Sequence, residues 1–226
     1  MATTAEDRPR PRSLWATRNG VILAAALISS VVTWWLIAWP SLTLATAARH
    51  GGHFAGTYAH VLGGTGMLLF GGLNLYLAAR RDNFPLHRLV GRTYLAFGVF
   101  GAVSSLFVTL SMAHKDAGSA LLTNETISLV TLAFAWLAFA GLGWRAARNR
   151  RFPSHGQWMI RSYVLAWAFV FCRIGSRLAD LDELGGGEAF IWLSWVAPMI
   201  LCEIVLQWPE GARKAARTAR DSPAPL

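Results

Sequence analysis

Residues 57–79 read TYAHVLGGTGMLLFGGLNLYLAA, a stretch without a single Asp, Glu, Lys or Arg. Wound as an α-helix it is about 33 Å long, enough to cross a hydrocarbon layer of roughly 30 Å. In lipid every backbone amide has to find its partner inside its own segment, so an uncharged run of this length predicts a membrane-spanning helix. Working outward, similar runs occupy about 21–39, 92–113, 126–144, 161–180 and 189–208, each bounded by charge, proline or glycine. The run at 161–180 is the least regular, because Arg173 and Arg177 interrupt it.

Composition supports the same reading. A chain of 226 residues that is 54% hydrophobic and 15% charged carries more apolar surface than one soluble core of that size can hide. The expectation is an all-α integral membrane protein of six transmembrane helices. A basic tail covers 1–20, a single transmembrane domain 21–208 and a second basic tail 209–226. The triplet Ala45-Thr46-Ala47 has the pattern of a signal peptidase site. The apolar run before it exceeds the 7–15 residues of a usual signal core, which predicts a retained helix.

The net charge of +9 comes from short clusters between apolar runs, with no basic groove of the kind that binds nucleic acid. Arginines crowd the N-terminal tail (Arg8, Arg10, Arg12, Arg18), the 80–92 loop, the 145–161 loop and the C-terminal tail. Acids (Asp116, Glu125, Asp180, Asp182, Glu183, Glu188) collect in the alternate loops. Positive loops stay inside, so this pattern predicts both termini in the cytoplasm and the chain in the inner (plasma) membrane. The two cysteines, Cys172 and Cys202, fall in apolar runs and suggest neither a disulfide framework nor a metal site.

An internal repeat organises the middle of the chain. Ala78-Ala79-Arg80, Phe84-Pro85 and His87 recur as Ala146-Ala147-Arg148, Phe152-Pro153 and His155, and each copy runs on to Arg-[Thr/Ser]-Tyr at 92–94 or 161–163. Repeats of this kind mark duplicated units. The second and third helices then form one hairpin and the fourth and fifth its copy, packed as a central four-helix bundle with an approximate two-fold axis along the membrane normal. Small residues allow close helix contact, so the row Gly98, Gly101, Ala102, Ser105 is expected to meet the row Gly64, Gly71, Ala78.

Three groups of residues could carry chemistry. His87 and His155, placed at equal depth by the repeat, could hold haem b or a metal between facing helices. The same positions, with Arg88, Arg92 and Arg161, also read as a site for an anion or an anionic lipid headgroup. His60 is an ionisable group inside an apolar helix and joins the candidate ligands on that ground. Asn74, Arg173 and Glu203 are the buried polar groups. One arrangement bridges Arg173 to Glu203; another sets Asn74 and Glu203 in a polar layer with the inner histidines while Arg173 faces His60. No nucleotide loop, nucleophile elbow or zinc-protease motif occurs, and no catalytic residue is assigned.

At these residues the sequence resembles a family of predicted bacterial multi-pass membrane proteins, domain of unknown function 2306. The resemblance rests on His60 and its glycine-rich helix, on His87-Arg88-Leu89-Val90-Gly91-Arg92-Thr93-Tyr94, on His155-Gly156-Gln157-Trp158-Met159-Ile160-Arg161-Ser162-Tyr163 with Arg173 beyond, and on Trp192 to Glu203. It covers about 57–206. The chain departs from the family pattern at Asn74, Gly156 and Pro198-Met199, where Gln, Arg and Pro-Asn are expected. The resemblance implies fold and membrane location and brings no activity. Three readings stay open: a small-ligand or haem-binding redox module, a proton-coupled small-molecule transporter, and a lipid-interacting structural protein. Whether the chain is an enzyme and how it assembles are not legible.

Overall fold

The computed structural model describes residues 54–81, 83–115, 123–178 and 187–221, together with Val31. The expected first span at 21–39 and the tail at 1–20 therefore lie outside the described residues, apart from Val31, which is helical. Among the described residues the structure is all-helical, with α1 (Phe54–Arg80), α2 (Phe84–Lys115), α3 (Asn124–Arg148), α4 (Phe152–Ala166), α5 (Ala168–Leu178) and α6 (Gly187–Asp221). Four stretches are long and apolar enough to cross a membrane: Ala55–Arg80, Phe84–Ser111, Asn124–Arg148 and Ala189–Gln207.

Helix starts depart from the expected 92 and 161. α2 begins at Phe84 and α4 at Phe152, because Phe-Pro places proline in the first turn, where its missing N–H leaves no bond unmade. Asn83 caps α2, its side-chain oxygen accepting from the Leu86 N–H at 3.0 Å. Charge marks where an apolar run ends, not where hydrogen bonding does, so the helices run past it. At the far end of the bundle, Thr123 caps α3 by accepting from the Thr126 N–H at 3.1 Å. The turns from α1 to α2 and from α3 to α4 each pass through a non-glycine residue with left-handed backbone, Arg81 and Arg150, both at φ 57°.

Where the sequence predicts one helix over 161–180, the structure has two. The Trp167 N–H bonds the Val164 carbonyl three residues back at 3.1 Å, a tight turn that ends α4, and the Phe171 N–H then bonds the Trp167 carbonyl at 3.0 Å. The break falls inside an aromatic row, with Trp167 6.4 Å from Tyr163 and 6.0 Å from Phe171, ring centre to ring centre.

α1 and α2 run antiparallel and cross on glycine. A Cβ on Gly63 would lie 2.4 Å from the Gly101 Cα, so the two backbones touch there. The expected partner Gly64 faces open space, and Gly71 instead makes room for the Tyr163 and Tyr94 rings while Gly98 makes room for Trp136. Period alone placed these glycines in rows, whereas the azimuth of each helix decides what a missing side chain admits. α3 and α4 form a second antiparallel pair, α2 packs on α3 and α1 on α4, and α6 lies against α3, α4 and α5.

Polarity is inverted relative to a soluble bundle. Asn74, Ser104, Ser105, Thr126, Ser128, Ser162 and Ser194 are buried, while Leu62, Phe107, Phe134, Leu201 and Val205 are more than half exposed. An apolar exterior of this extent is stable against lipid, not water.

Candidate functional site

His87 and His155 meet at the end of the bundle where α1 turns into α2 and α3 into α4. Their ring centres are 6.4 Å apart and the planes nearly perpendicular, at 86°. His87 Nδ1 is 3.3 Å from the Asn74 carbonyl on α1, and His155 Nδ1 is 2.9 Å from the Gly143 carbonyl on α3. A carbonyl oxygen only accepts, so each Nδ1 carries the proton and donates. In the neutral ring Nε2 is then a bare lone pair, the state in which histidine ligates a metal. Each histidine is thus oriented by the helix that precedes it in the chain.

Asn74 serves the site twice. Its carbonyl fixes His87, and its own side chain, 7% exposed, leaves Oδ1 with no hydrogen-bond partner among the described residues. Gly91 makes room for that carboxamide, since a Cβ there would stand 3.0 Å from Asn74 Nδ2. On the other side, a Cβ on Gly143 would meet Met159 Sδ at 2.7 Å. A buried acceptor without a donor is costly unless a ligand or water completes it.

Two helical turns deeper a second polar layer closes the bundle. The Trp136 indole N–H donates to the Tyr94 hydroxyl at 3.3 Å, Tyr94 meets Ser162 Oγ at 2.9 Å, and Ser162 donates to the Met159 carbonyl at 2.9 Å. Because Ser162 spends its proton on Met159, Tyr94 is the donor to Ser162, and the chain runs in one direction. Tyr163 donates to the Leu68 carbonyl at 3.2 Å. Tyr94 is only 1% exposed and Ser162 fully buried. Sequence reasoning missed this layer, although its signal was present in the repeated Arg-[Thr/Ser]-Tyr.

The remaining candidates lie elsewhere. His60 sits about 21 Å along α1 from Asn74 by helix rise, bonded through Nδ1 with the Gly101 carbonyl at 3.1 Å and edge-on to Phe169 at 4.7 Å. The structure therefore joins His87 to His155 and leaves His60 near the opposite end. Arg161, grouped in sequence with Arg88 and Arg92 as a headgroup cation, instead grips Glu203 with two hydrogen bonds, Nε to Oε1 and Nη2 to Oε2, the latter at 2.9 Å. The Trp158 ring lies 4.9 Å below its guanidinium. Glu203 is therefore engaged by Arg161, while the expected bridge from Arg173 to Glu203 rests on a side chain outside the described residues. The physical reason is rotation: Arg161 and Glu203 turn toward each other across the contact of α4 with α6. Arg173 lies in α5, with its side chain outside the described residues. Arg88 and Arg92 are exposed. Among the described residues no three His, Cys, Asp or Glu side chains converge on one point.

A family model described as predicted membrane protein (DUF2306) matches residues 57–206. The chain belongs to the DUF2306 family. The DUF2306 region begins one turn before His60 and ends one turn past Glu203, so it takes in both histidine hydrogen bonds, the tyrosine layer and the Arg161–Glu203 pair. No curated protein and no solved structure matches the chain.

Proposed function

We propose that this membrane protein is a one-electron redox module that holds a b-type haem between His87 and His155. The observation that carries the reading is the matched pair of Nδ1 hydrogen bonds to backbone carbonyls, with the rings 6.4 Å apart. Metal–nitrogen bonds run to about 2.0–2.1 Å, so rings at this separation would be near enough for both bare Nε2 atoms to hold one metal ion. Bundles build such sites from facing helices, and α2 and α4 face each other across the bundle. His87 and His155 would hold the haem, and the haem would supply one-electron transfer. The chain's own groups hold and orient it: Asn74 and Gly143 fix the imidazoles, and Arg88, exposed beside His87, supplies a cation for a propionate.

The same contacts support a duplicated origin for the two hairpins. Tyr94 meets residue 136 and Tyr163 meets residue 68, positions that exchange under the repeat spacing, and the left-handed Arg81 and Arg150 occupy matching turns.

The experiment is an absorption spectrum of the full chain purified in detergent from haem-replete cells. A Soret band with reducible α and β bands is expected, abolished in His87→Ala and in His155→Ala and retained in His60→Ala. Colourless wild-type protein that takes up no added haemin would overturn the reading. If proton flux in liposomes then fell in the same two variants, the pair would belong to proton movement and the transporter reading would replace this one.

A further inference from the structure

We propose that the groove between α2 and α3 binds one anionic phospholipid, its acyl chain along the groove and its phosphate on Arg92. The groove measures about 780 Å³ and opens on the apolar exterior of the bundle, where Val99, Phe100 and Val103 are exposed. Leu95, Val99 and Val103 of α2 form one wall, and Leu137 and Gly141 of α3 the other. Arg92 and Trp144 stand together at the mouth, at the end of the bundle where the arginine-rich turns lie.

Length, polarity and charge agree on this occupant. From Arg92 to Val103 the groove runs about 16 Å by helix rise, half of a hydrocarbon layer of roughly 30 Å and so the depth of one leaflet. A soluble anion would leave the apolar walls unused, a lipid without phosphate would leave the guanidinium without a counter-charge, and a zwitterionic phosphodiester brings its own cation to compete with Arg92. A phosphodiester suits that guanidinium, which pairs with phosphate through two hydrogen bonds, and a tryptophan at the mouth sits where indoles favour the headgroup level. Neither His87 nor His155 lines the groove, so the site stands or falls independently of the haem reading.

Gly141 provides the test, because a Cβ added there meets nothing within 4 Å. Gly141→Leu therefore fills the groove without touching the backbone of a neighbour, and Ala96→Leu does so from the facing wall. The full chain in mild detergent is incubated with equimolar phosphatidylglycerol and phosphatidylcholine of matched chains, and bound lipid is read by native mass spectrometry. Wild type should retain one phosphatidylglycerol in at least fivefold preference. Either groove-filling variant, with its melting temperature unchanged, should retain tenfold less of both lipids, while Arg92→Gln should keep a lipid and lose the preference. Glycerophosphoglycerol, the headgroup without chains, should not compete. Equal retention of the two lipids by wild type, undiminished phosphatidylglycerol in both groove-filling variants, or displacement by the chain-free headgroup would each overturn the assignment.

Discussion

The hairpin of α1 and α2 and the pair of α3 and α4 are alike at one end and unlike at the other. At the histidine end each turns through an arginine at φ 57°, restarts on Phe-Pro, and bonds a histidine Nδ1 to a carbonyl of its first helix. Each then sends a buried tyrosine hydroxyl to the other hairpin, Tyr94 to Trp136 and Tyr163 to Leu68. Toward the opposite end the likeness stops. α2 continues unbroken to Lys115 against the glycine crossing at Gly63 and Gly101, whereas α4 ends at Ala166 and the chain restarts as α5. Spanning lipid asks only for length and apolarity, which many sequences satisfy, while holding two imidazoles in one geometry constrains each neighbouring residue. Likeness confined to the histidine end is what a shared site would leave behind.

Disrupting the unlike end should cost the most stability. Gly63→Val puts a branched side chain into the Gly101 backbone and should destabilise the protein by roughly 3 kcal/mol, whereas Gly64→Val, facing open space, should cost less than about 1 kcal/mol. Thermal unfolding in detergent measures both, and equal losses would show that the two helices do not meet on the Gly63 face. The tyrosines probe the like end with smaller effects. Tyr94→Phe strips the buried Trp136 N–H of its acceptor and should cost about 1–2 kcal/mol; Tyr163→Phe gives up a bond to an intrahelical carbonyl and should cost about 0.5–1 kcal/mol. A double variant less damaging than the sum of the two would reveal coupling across the layer. The smallest change is a gain: Arg81→Gly or Arg150→Gly removes the left-handed penalty of a side chain and should add about 1 kcal/mol, read as a rise of a few degrees in melting temperature.

The approach of His87 to His155 was legible because the repeat named both. His87 and His155 stand at equivalent positions of two similar strings, and any two-fold arrangement of those strings brings equivalents to one depth. Their partners were not legible. Asn74 contributes to His87 through its backbone, which no side-chain motif records. Arg161 shares a repeat and a charge with Arg92, yet one is paired to Glu203 and the other opens on the apolar groove. Nothing at Trp167 announces a break, since neither proline nor glycine stands there.

Sequence alone determined that the chain is helical and belongs in a bilayer, because transfer of apolar surface depends on area and not on direction, and so can be summed along a string. Only the tertiary structure decided which polar groups meet. Hydrogen bonds and ion pairs act over about 3 Å and at restricted angles, so they depend on the rotation of each helix about its axis, a quantity that hydropathy does not carry.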